Sequence, residues 1–278
     1  MRLAAQRQIY SDASELDNFG AAISIFVPVV LSILGFLTQG AAPVTTVSRI
    51  LSAIATIVSL GIKGRIKHQK ALAAAIQQDF DVYVYQMPWD ADIFGTWVNH
   101  DSEVAEKADK FFSNPRRRDS LRNWYVPESD NLPLLDGIAA CQRENTSWSK
   151  RLVDRYRQTY WLIFVVVFLA VVVPWGISDG PAHELSDRIF TVFPLLTWVL
   201  TTICALREGS EKVCALDATV KTHEPLTMHR LQLIQKSIWD YRATNVKIPN
   251  WFYAIFRGKD ERIERHAIAL QRSSGSGR

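Results

Sequence analysis

Two long uncharged stretches restrict what this chain can fold into. Residues 18–48 carry no charged side chain, and residues 50–62 carry none either. An α-helix needs about 20 mostly apolar residues to cross a bilayer. Together these two stretches are therefore long enough for two crossings, joined by a short turn at residues 40–43.

A second apolar block repeats this arrangement. Residues 158–178 and 189–206 are both uncharged, and each reaches the length of a membrane-spanning helix. We therefore predict an all-α polytopic membrane protein with four transmembrane helices in two hairpins, helical cytoplasmic extensions and a small middle domain. The alternative is that one of the four segments is a buried core helix. A signal peptide is disfavoured because Asp12, Glu15 and Asp17 precede the first segment, where positive charge is typical.

The basic residues predict the orientation of these helices. The predicted turns at 39–47 and 179–187 contain no Lys or Arg, whereas basic side chains flank the opposite ends of all four segments. Cytoplasmic flanks carry the excess of Lys and Arg, so both termini should lie in the cytoplasm. The net charge of +4 is explained by flanks that contact anionic headgroups. The basic residues are Arg2, Arg7, Lys63, Arg65, Lys67, Lys70, Lys150, Arg151, Arg155, Arg157, Arg207 and Lys212.

The predicted organisation has six parts. They are an amphipathic helix at 1–18, a transmembrane hairpin at 19–63, a cytoplasmic middle domain at 64–156, a second hairpin at 157–207, cytoplasmic helices at 208–272 and a flexible tail at 273–278. In the middle domain, apolar side chains at every second position over 80–84 predict a short extended piece. Apolar side chains at helical spacing over 102–112 predict a helix. A stripe over 134–152 predicts a helix continuous with the third crossing, where Tyr160 and Trp161 should anchor at the interface.

The second crossing has a polar face. Small polar and hydroxyl side chains recur there at three- and four-residue steps, which places them on one side of a helix. Either this face packs against another helix, or it lines an aqueous path. Four helices are too few to enclose a wide pore, so the second reading requires a homo-oligomer. The pore-lining candidates are Thr45, Ser48, Arg49, Ser52, Thr56 and Ser59.

A basic and aromatic set in the cytoplasmic region could bind a nucleotide. Guanidinium groups form paired bonds to phosphates and aromatic faces stack on bases. A basic loop facing solvent or headgroups is the alternative. The ligand-binding candidates are Arg116, Arg117, Arg118, Trp124, Tyr125, Arg143, Arg151 and Arg155.

Catalytic and metal-binding motifs are not found in the sequence. Asp90 and Asp92 form a pair of carboxylates without a second acidic cluster, and three cysteines show no paired spacing. The sequence therefore predicts that the protein is not an enzyme and has no metal or cofactor.

Five stretches carry a resemblance to a known family. They are 3–10 (LAAQRQIY), 81–89 (DVYVYQMPW), 123–125 (NWY), 141–145 (CQREN) with Trp148 and Arg151, and 249–252 (PNWF). With four crossings split around a cytoplasmic insert, the chain resembles the SMODS-associated four-transmembrane (4TM) pore-forming effectors of bacterial conflict and anti-phage systems.

The resemblance implies an abortive-infection effector. A partner synthetase would make a cyclic oligonucleotide, and the effector would then compromise the inner membrane. Its partners would be the lipid bilayer, further copies of itself and this second messenger, but no DNA or RNA polymer. The alternative from another class is a membrane-anchored scaffold that recruits a cytoplasmic partner. A small transporter is disfavoured because we find no repeated halves.

Overall fold

Helices make up all the regular secondary structure that is described. In the computed structural model the described residues are 1–37, 42–121, 124–125, 132–177, 182–222, 225–246, 248–249, 251–252, 254–256, 258, 260 and 262–263. The α-helices are α1 (Arg2–Leu37), α2 (Ala42–Val84), α3 (Ala91–Phe94), α4 (Asp101–Phe112), α5 (Leu134–Ile177), α6 (Ala182–Lys221) and α7 (Met228–Thr244), with a 3-10 helix at Pro115–Leu121 between α4 and α5. This confirms the predicted all-α class.

The chain divides into two compact units, each built from several segments. Unit 1 contains Met1–Asp12, His68–Asp154 and Glu208–Arg278, and unit 2 contains Ala13–Lys67 and Arg155–Arg207. The four long helices α1, α2, α5 and α6 each contribute residues to both units.

Unit 1 has a conventional hydrophobic core. The start of α1 packs against α2 and α4 through buried small and large apolar side chains, which include Ile9, Ile76 and Phe111. At the edge of this cluster Asp12 accepts hydrogen bonds from Gln8 (2.7 Å) and Lys110 (2.9 Å). A second cluster joins α3, α5 and α7, and a third joins α6 to α7. Burial of these apolar side chains stabilises the packing of the helical segments of unit 1.

Unit 2 exposes many apolar side chains along α2 and α5. In α5 the most apolar window has a mean hydropathy of 2.5 and is only 6% buried. Within the part of the chain that the structure describes, α5 is the one helix whose length and composition suit a membrane crossing. In α2 the described side chains between positions 47 and 58 are also exposed and apolar: Val47, Ile50, Leu51, Ile54, Ile57 and Val58. The other three predicted crossings remain predictions.

Helix contacts inside unit 2 use small and aromatic residues. The Cβ that a side chain would add at Gly20 in α1 would lie 3.1 Å from Cγ2 of Ile62 in α2, so glycine permits this close approach. Tyr160 of α5 packs against Trp198 of α6 with ring centroids 5.5 Å apart. Tyr160 is buried within the chain, whereas Trp161 is exposed. Their role as interfacial anchors stays a prediction.

The extended piece predicted over 80–84 is helical. α2 continues to Val84, and its buried positions Ala74, Gln78 and Asp81 follow helical spacing. The alternation of Val and Tyr favoured a strand, but the buried positions near the end of this helix, Gln77, Gln78 and Asp81, are polar. Apolar periodicity therefore did not reveal the last turn of the helix.

A Schellman-type arrangement ends α2. The N–H of Met87 donates to the carbonyl of Val82 (3.0 Å) and the N–H of Gln86 donates to the carbonyl of Tyr83 (3.2 Å). Gln86 takes the left-handed position of this motif, with φ 50°, where glycine is usual. The chain consequently turns away from the axis of α2 towards Trp89 and α3.

Two further helix predictions are confirmed, and two predicted segments lie partly or wholly outside the described residues. The helix predicted at 102–112 is α4, and the helix predicted to continue from 134 into the third crossing is α5. Half of the predicted turn at 40–43 (residues 40 and 41) and the whole tail at 273–278 lie outside the described residues.

Candidate functional site

A buried ion pair lies at the centre of unit 1. Asp81 near the end of α2 is fully buried, and its Oδ2 lies 2.6 Å from Nη1 of Arg242 in α7, whose side chain is 9% exposed. The same carboxylate accepts a hydrogen bond from the hydroxyl of Tyr125 (2.7 Å) and one from Nε2 of Gln235 (3.0 Å). Three donors thus satisfy a charge that would be very costly to bury alone.

Glutamine side chains extend this centre between helices. Nε2 of Gln235 also donates to Oε1 of Gln78 (2.9 Å). Nε2 of Gln142 in α5 donates to the carbonyl of Leu231 (2.9 Å) and to Oε1 of Gln235 (3.2 Å). The network therefore connects α2, α5 and α7, and its geometry depends on the positions of all three helices.

Burial and charge shift the pKa values of the groups around this centre. Burial raises the pKa of Tyr125 well above its ordinary value of 10.0, and the Asp81 carboxylate raises it further. Burial raises the pKa of Tyr10 to about 12, although Arg242 opposes the shift. Burial lowers the pKa of Arg242 and Asp81 raises it, with a net rise. Both tyrosines therefore stay protonated and Arg242 stays charged at neutral pH.

An open cleft of about 520 Å³ lies beside the end of α2. Its lining combines exposed aromatic rings with one carboxylate and one guanidinium group. The lining residues are Arg2, Asp79, Val82, Tyr83, Gln86, Met87, Trp89 and Trp97.

Hydrogen bonds fix the two tryptophans of this cleft. Nε1 of Trp97 donates to Oδ1 of Asp79 (3.1 Å), and Nε1 of Trp89 donates to the carbonyl of Gly95 (2.9 Å). Gly95 ends α3 with φ 78°, a conformation that favours glycine. Trp89 also packs against Phe94, with ring centroids 5.2 Å apart. These contacts restrict the orientation of both tryptophan rings.

Asp79 is the acidic group of the cleft. Burial raises the pKa of its carboxyl group, while the hydrogen bond from Trp97 and the charge of Arg2 lower it, with a net rise. Within the described part of the chain, Trp97 is its one hydrogen-bond donor. The carboxylate has further capacity to accept hydrogen bonds, because two oxygens offer about four lone-pair positions.

Comparison with known proteins identifies the family. Residues 1–270 match the model of the SMODS-associating 4TM effector domain. The chain belongs to this family. No curated protein and no solved structure gives a significant match.

Membership confirms the resemblance drawn from the sequence motifs. The family implies a membrane effector of SMODS-associated conflict systems, linked to a SMODS-type synthetase. The match covers both units, so the buried centre of unit 1 belongs to the effector domain as much as the apolar helices do.

The ligand-binding candidates of this 4TM effector make different contacts. Nη1 of Arg117 donates to Oε1 of Gln8 (3.0 Å), and its guanidinium lies 5.7 Å from the ring centroid of Phe111. Arg118 lies over the ring of Phe112.

The remaining candidates are distributed over other partners. Trp124 is covered by the guanidinium of Arg7 (5.0 Å), and Tyr125 donates to Asp81. Nε of Arg151 lies 3.4 Å from the buried carboxylate of Asp260. Arg143 is partly buried in α5 within unit 1, and Arg155 belongs to unit 2. The side chain of Arg116 lies outside the described set. The eight candidates therefore share no common contact among those seen, and their role in binding stays a prediction.

The pore-lining candidates lie on α2. Thr45, Ser48, Arg49, Ser52, Thr56 and Ser59 fall within Ala42–Val84, and their side chains lie outside the described set. Helical periodicity places these positions on the side of α2 opposite Val47, Ile54 and Ile57, which are exposed. Both the packing and the pore interpretations stay open.

Sequence reasoning missed two features of unit 1. The ion pair of Asp81 and Arg242 joins residues 161 positions apart, and no local pattern reports such a partner. The cleft had a visible signal, because Tyr83, Trp89 and Trp97 crowd a short segment. Asp90, considered as half of a metal pair, instead caps α3 by accepting a hydrogen bond from the N–H of Asp92 (2.9 Å).

Proposed function

We propose that this 4TM effector is a non-enzymatic, ligand-gated protein that disrupts the bacterial inner membrane. A cyclic oligonucleotide from the partner synthetase would bind the cytoplasmic unit 1. Several copies would then form an opening through their membrane helices, and the infected cell would stop growing before phage release. Four transmembrane helices, with both termini in the cytoplasm, provide the membrane part of this proposal.

The observation that carries the proposal is that α5 contains both a residue of the buried network and the exposed apolar window. One uninterrupted helix, Leu134–Ile177, includes Gln142 of the buried network and the exposed apolar window. A change in the packing of Gln142 would act on the same helix that enters lipid. The ligand can shift this equilibrium only through different affinities for the closed and open arrangements.

The hydroxyl face of α2 is the proposed wall of the opening. It is lined at helical spacing by Ser48, Ser52 and Thr56, opposite exposed apolar positions. Hydroxyl groups can replace part of the hydration of a permeating ion or small solute, whereas aliphatic side chains cannot. A single copy has too few helices for this purpose, so oligomerisation is part of the proposal.

Dye release from vesicles tests the function. Purified protein in anionic vesicles should release dye when cyclic oligonucleotides are added from a panel. The variant Ser52→Leu/Thr56→Leu should reduce the release at least ten-fold, because it replaces two hydroxyl groups by apolar side chains. The matched control Ile54→Leu, at an exposed apolar position of the same helix, should release dye normally.

Two results would contradict the proposal. Vesicles that stay intact across the whole panel would exclude ligand-gated disruption. Toxicity in cells that survives Ser52→Leu/Thr56→Leu but disappears when residues 100–150 are removed would instead support the membrane-anchored scaffold.

A further inference from the structure

We propose that the cleft of unit 1 binds the guanine base of a nucleotide, between Tyr83 and Trp97 and against the carboxylate of Asp79. The inference rests on the proposed function in one respect, since the physiological ligand would be the activating cyclic oligonucleotide. The site itself can be tested without any membrane activity.

The aromatic rings provide the stacking surface. Tyr83 is 77% exposed and Trp97 is 46% exposed, although both belong to the lining of an otherwise structured cleft. Exposed apolar groups can mark a binding surface when they lie together, as these two rings do in the lining of one cleft. Stacking of a base on such rings is favourable for every base, so the rings explain binding of a planar heterocycle but not its identity.

The carboxylate provides the selection among bases. Ionised Asp79 only accepts hydrogen bonds. The indole N–H of Trp97 already donates one hydrogen bond to its Oδ1. The Watson–Crick edge of guanine presents two adjacent N–H donors, from the ring nitrogen and the exocyclic amino group. The corresponding edge of adenine alternates a donor with an acceptor, which would face the negative oxygen. The cleft therefore favours guanine.

Arg2 provides a contact for phosphate. It lines the same cleft and forms an ion pair with Asp101 at 3.6 Å, in which the two side chains are 37% and 69% exposed. Exposed pairs of this kind contribute little to stability, so Arg2 can exchange Asp101 for a phosphate at small cost. A guanidinium group binds phosphate oxygens with paired hydrogen bonds.

The basic and aromatic set found in the sequence is less suitable for the base. The hydroxyl of Tyr125 is bound to buried Asp81, and the face of Trp124 is covered by Arg7. A base would have to displace these contacts before stacking. Tyr83 and Trp97 need no such displacement.

The experiment is isothermal titration calorimetry on the full chain in detergent micelles. The probes are cyclic di-GMP and cyclic di-AMP, which have the same backbone and differ in the base. We expect cyclic di-GMP to bind at least ten-fold more tightly. Trp97→Ala should weaken its binding at least ten-fold, since stacking on one ring is lost.

Asp79→Asn provides the specific readout. An amide presents both a donor and an acceptor, so this variant should lose the preference for cyclic di-GMP and bind the two probes within about three-fold of each other. Trp251→Ala is the matched control, because Trp251 is 62% exposed and is not part of the cleft. It should bind like the unchanged protein.

Each result decides either the site or the proposed function. Absence of binding by both probes, equal or tighter binding of cyclic di-AMP, or normal binding by Asp79→Asn and Trp97→Ala would overturn the site. If dye release is nevertheless activated by another cyclic oligonucleotide, the proposed function stands and the cleft assignment fails. Binding that depends on Asp79 without dye release supports the site and contradicts the membrane-disrupting function.

Discussion

The buried carboxylate Asp81 shows how much one residue can determine in unit 1. It binds Arg242, Tyr125 and Gln235, and therefore joins α2 to α7 and to the segment before α5. The replacement Asp81→Asn keeps the size of the side chain but leaves Arg242 charged and buried without its anion.

We expect Asp81→Asn to destabilise the protein by about 3–5 kcal/mol, the usual cost of breaking a buried ion pair. Asp240→Asn is the matched control on α7, because Asp240 pairs with Lys236 while 61% exposed. Exposed pairs contribute less than about 1 kcal/mol. Chemical unfolding in micelles measures both variants, and equal losses would show that Asp81 is not a central contact.

Asp12 makes unit 1 sensitive to acid. Burial raises the pKa of its carboxyl group, but hydrogen bonds from Lys110 and Gln8 and the charges of Lys110 and Lys107 lower it to a net value below 3.8. A lowered pKa in the folded state means that the carboxylate stabilises the protein above pH 3.8, and that this contribution is lost as the pH falls through the folded pKa.

Asp12→Asn should therefore destabilise the protein at neutral pH and leave its stability less dependent on pH below 3.8. Unfolding curves between pH 2 and pH 7 measure this difference. Parallel curves for the two proteins throughout this range would contradict the assigned role of Asp12.

Single residues also set the limit of prediction from sequence. The partner of Asp81 lies 161 positions away, and the partner of Asp12 on α4 lies 98 positions away. Contacts between residues so far apart in the sequence produce no periodic pattern from which they could be predicted. The crowding of aromatic residues around Trp89 was visible, but only the fold shows that Asp79 and Arg2 line the same cleft.

At the scale of helices, apolar periodicity predicted the helices that have a continuous apolar face. It found α4 and the continuity of α5 because their buried or exposed faces are apolar, as at Val104 and Phe111. It failed at the end of α2, where the inward side chains are Gln77, Gln78 and Asp81. A helix whose buried face is polar resembles a surface segment until its partners are known.

The contact between Gly20 of α1 and Ile62 of α2 predicts a packing effect. Gly20→Leu should destabilise the pair of helices by about 1–3 kcal/mol, since the added side chain overlaps Ile62 and cannot be accommodated without movement. Gly64→Ala is the matched control in α2, where nothing lies within 4 Å of the added Cβ. It should stabilise the helix by up to about 1 kcal/mol.

Thermal unfolding in micelles distinguishes the two glycine variants. A loss in both would indicate that glycine is needed for helix flexibility, and no loss in Gly20→Leu would show that α1 and α2 separate easily at this point. The opposite signs expected here follow from the different surroundings of two glycines near the same hairpin.

At the scale of the whole molecule, the asymmetry of basic residues predicts where each part of the chain lies. Residues 39–47 and 179–187 lack Lys and Arg, whereas basic residues are abundant in the segments assigned to unit 1. Basic flanks remain in the cytoplasm during insertion. If all four predicted helices cross the membrane, the two turns without Lys or Arg lie outside the inner membrane, and α4 lies inside the cell.

Labelling of single cysteines tests this topology. In a chain whose three native cysteines are replaced, Gln39→Cys and Asp179→Cys should react with a membrane-impermeant maleimide in intact spheroplasts. Glu103→Cys, an exposed position of α4, should react only after permeabilisation. Labelling of Asp179→Cys but not of Gln39→Cys would show that the first hairpin does not cross. The hydroxyl face of α2 could then not line an opening, because an aqueous path must reach both sides of the bilayer.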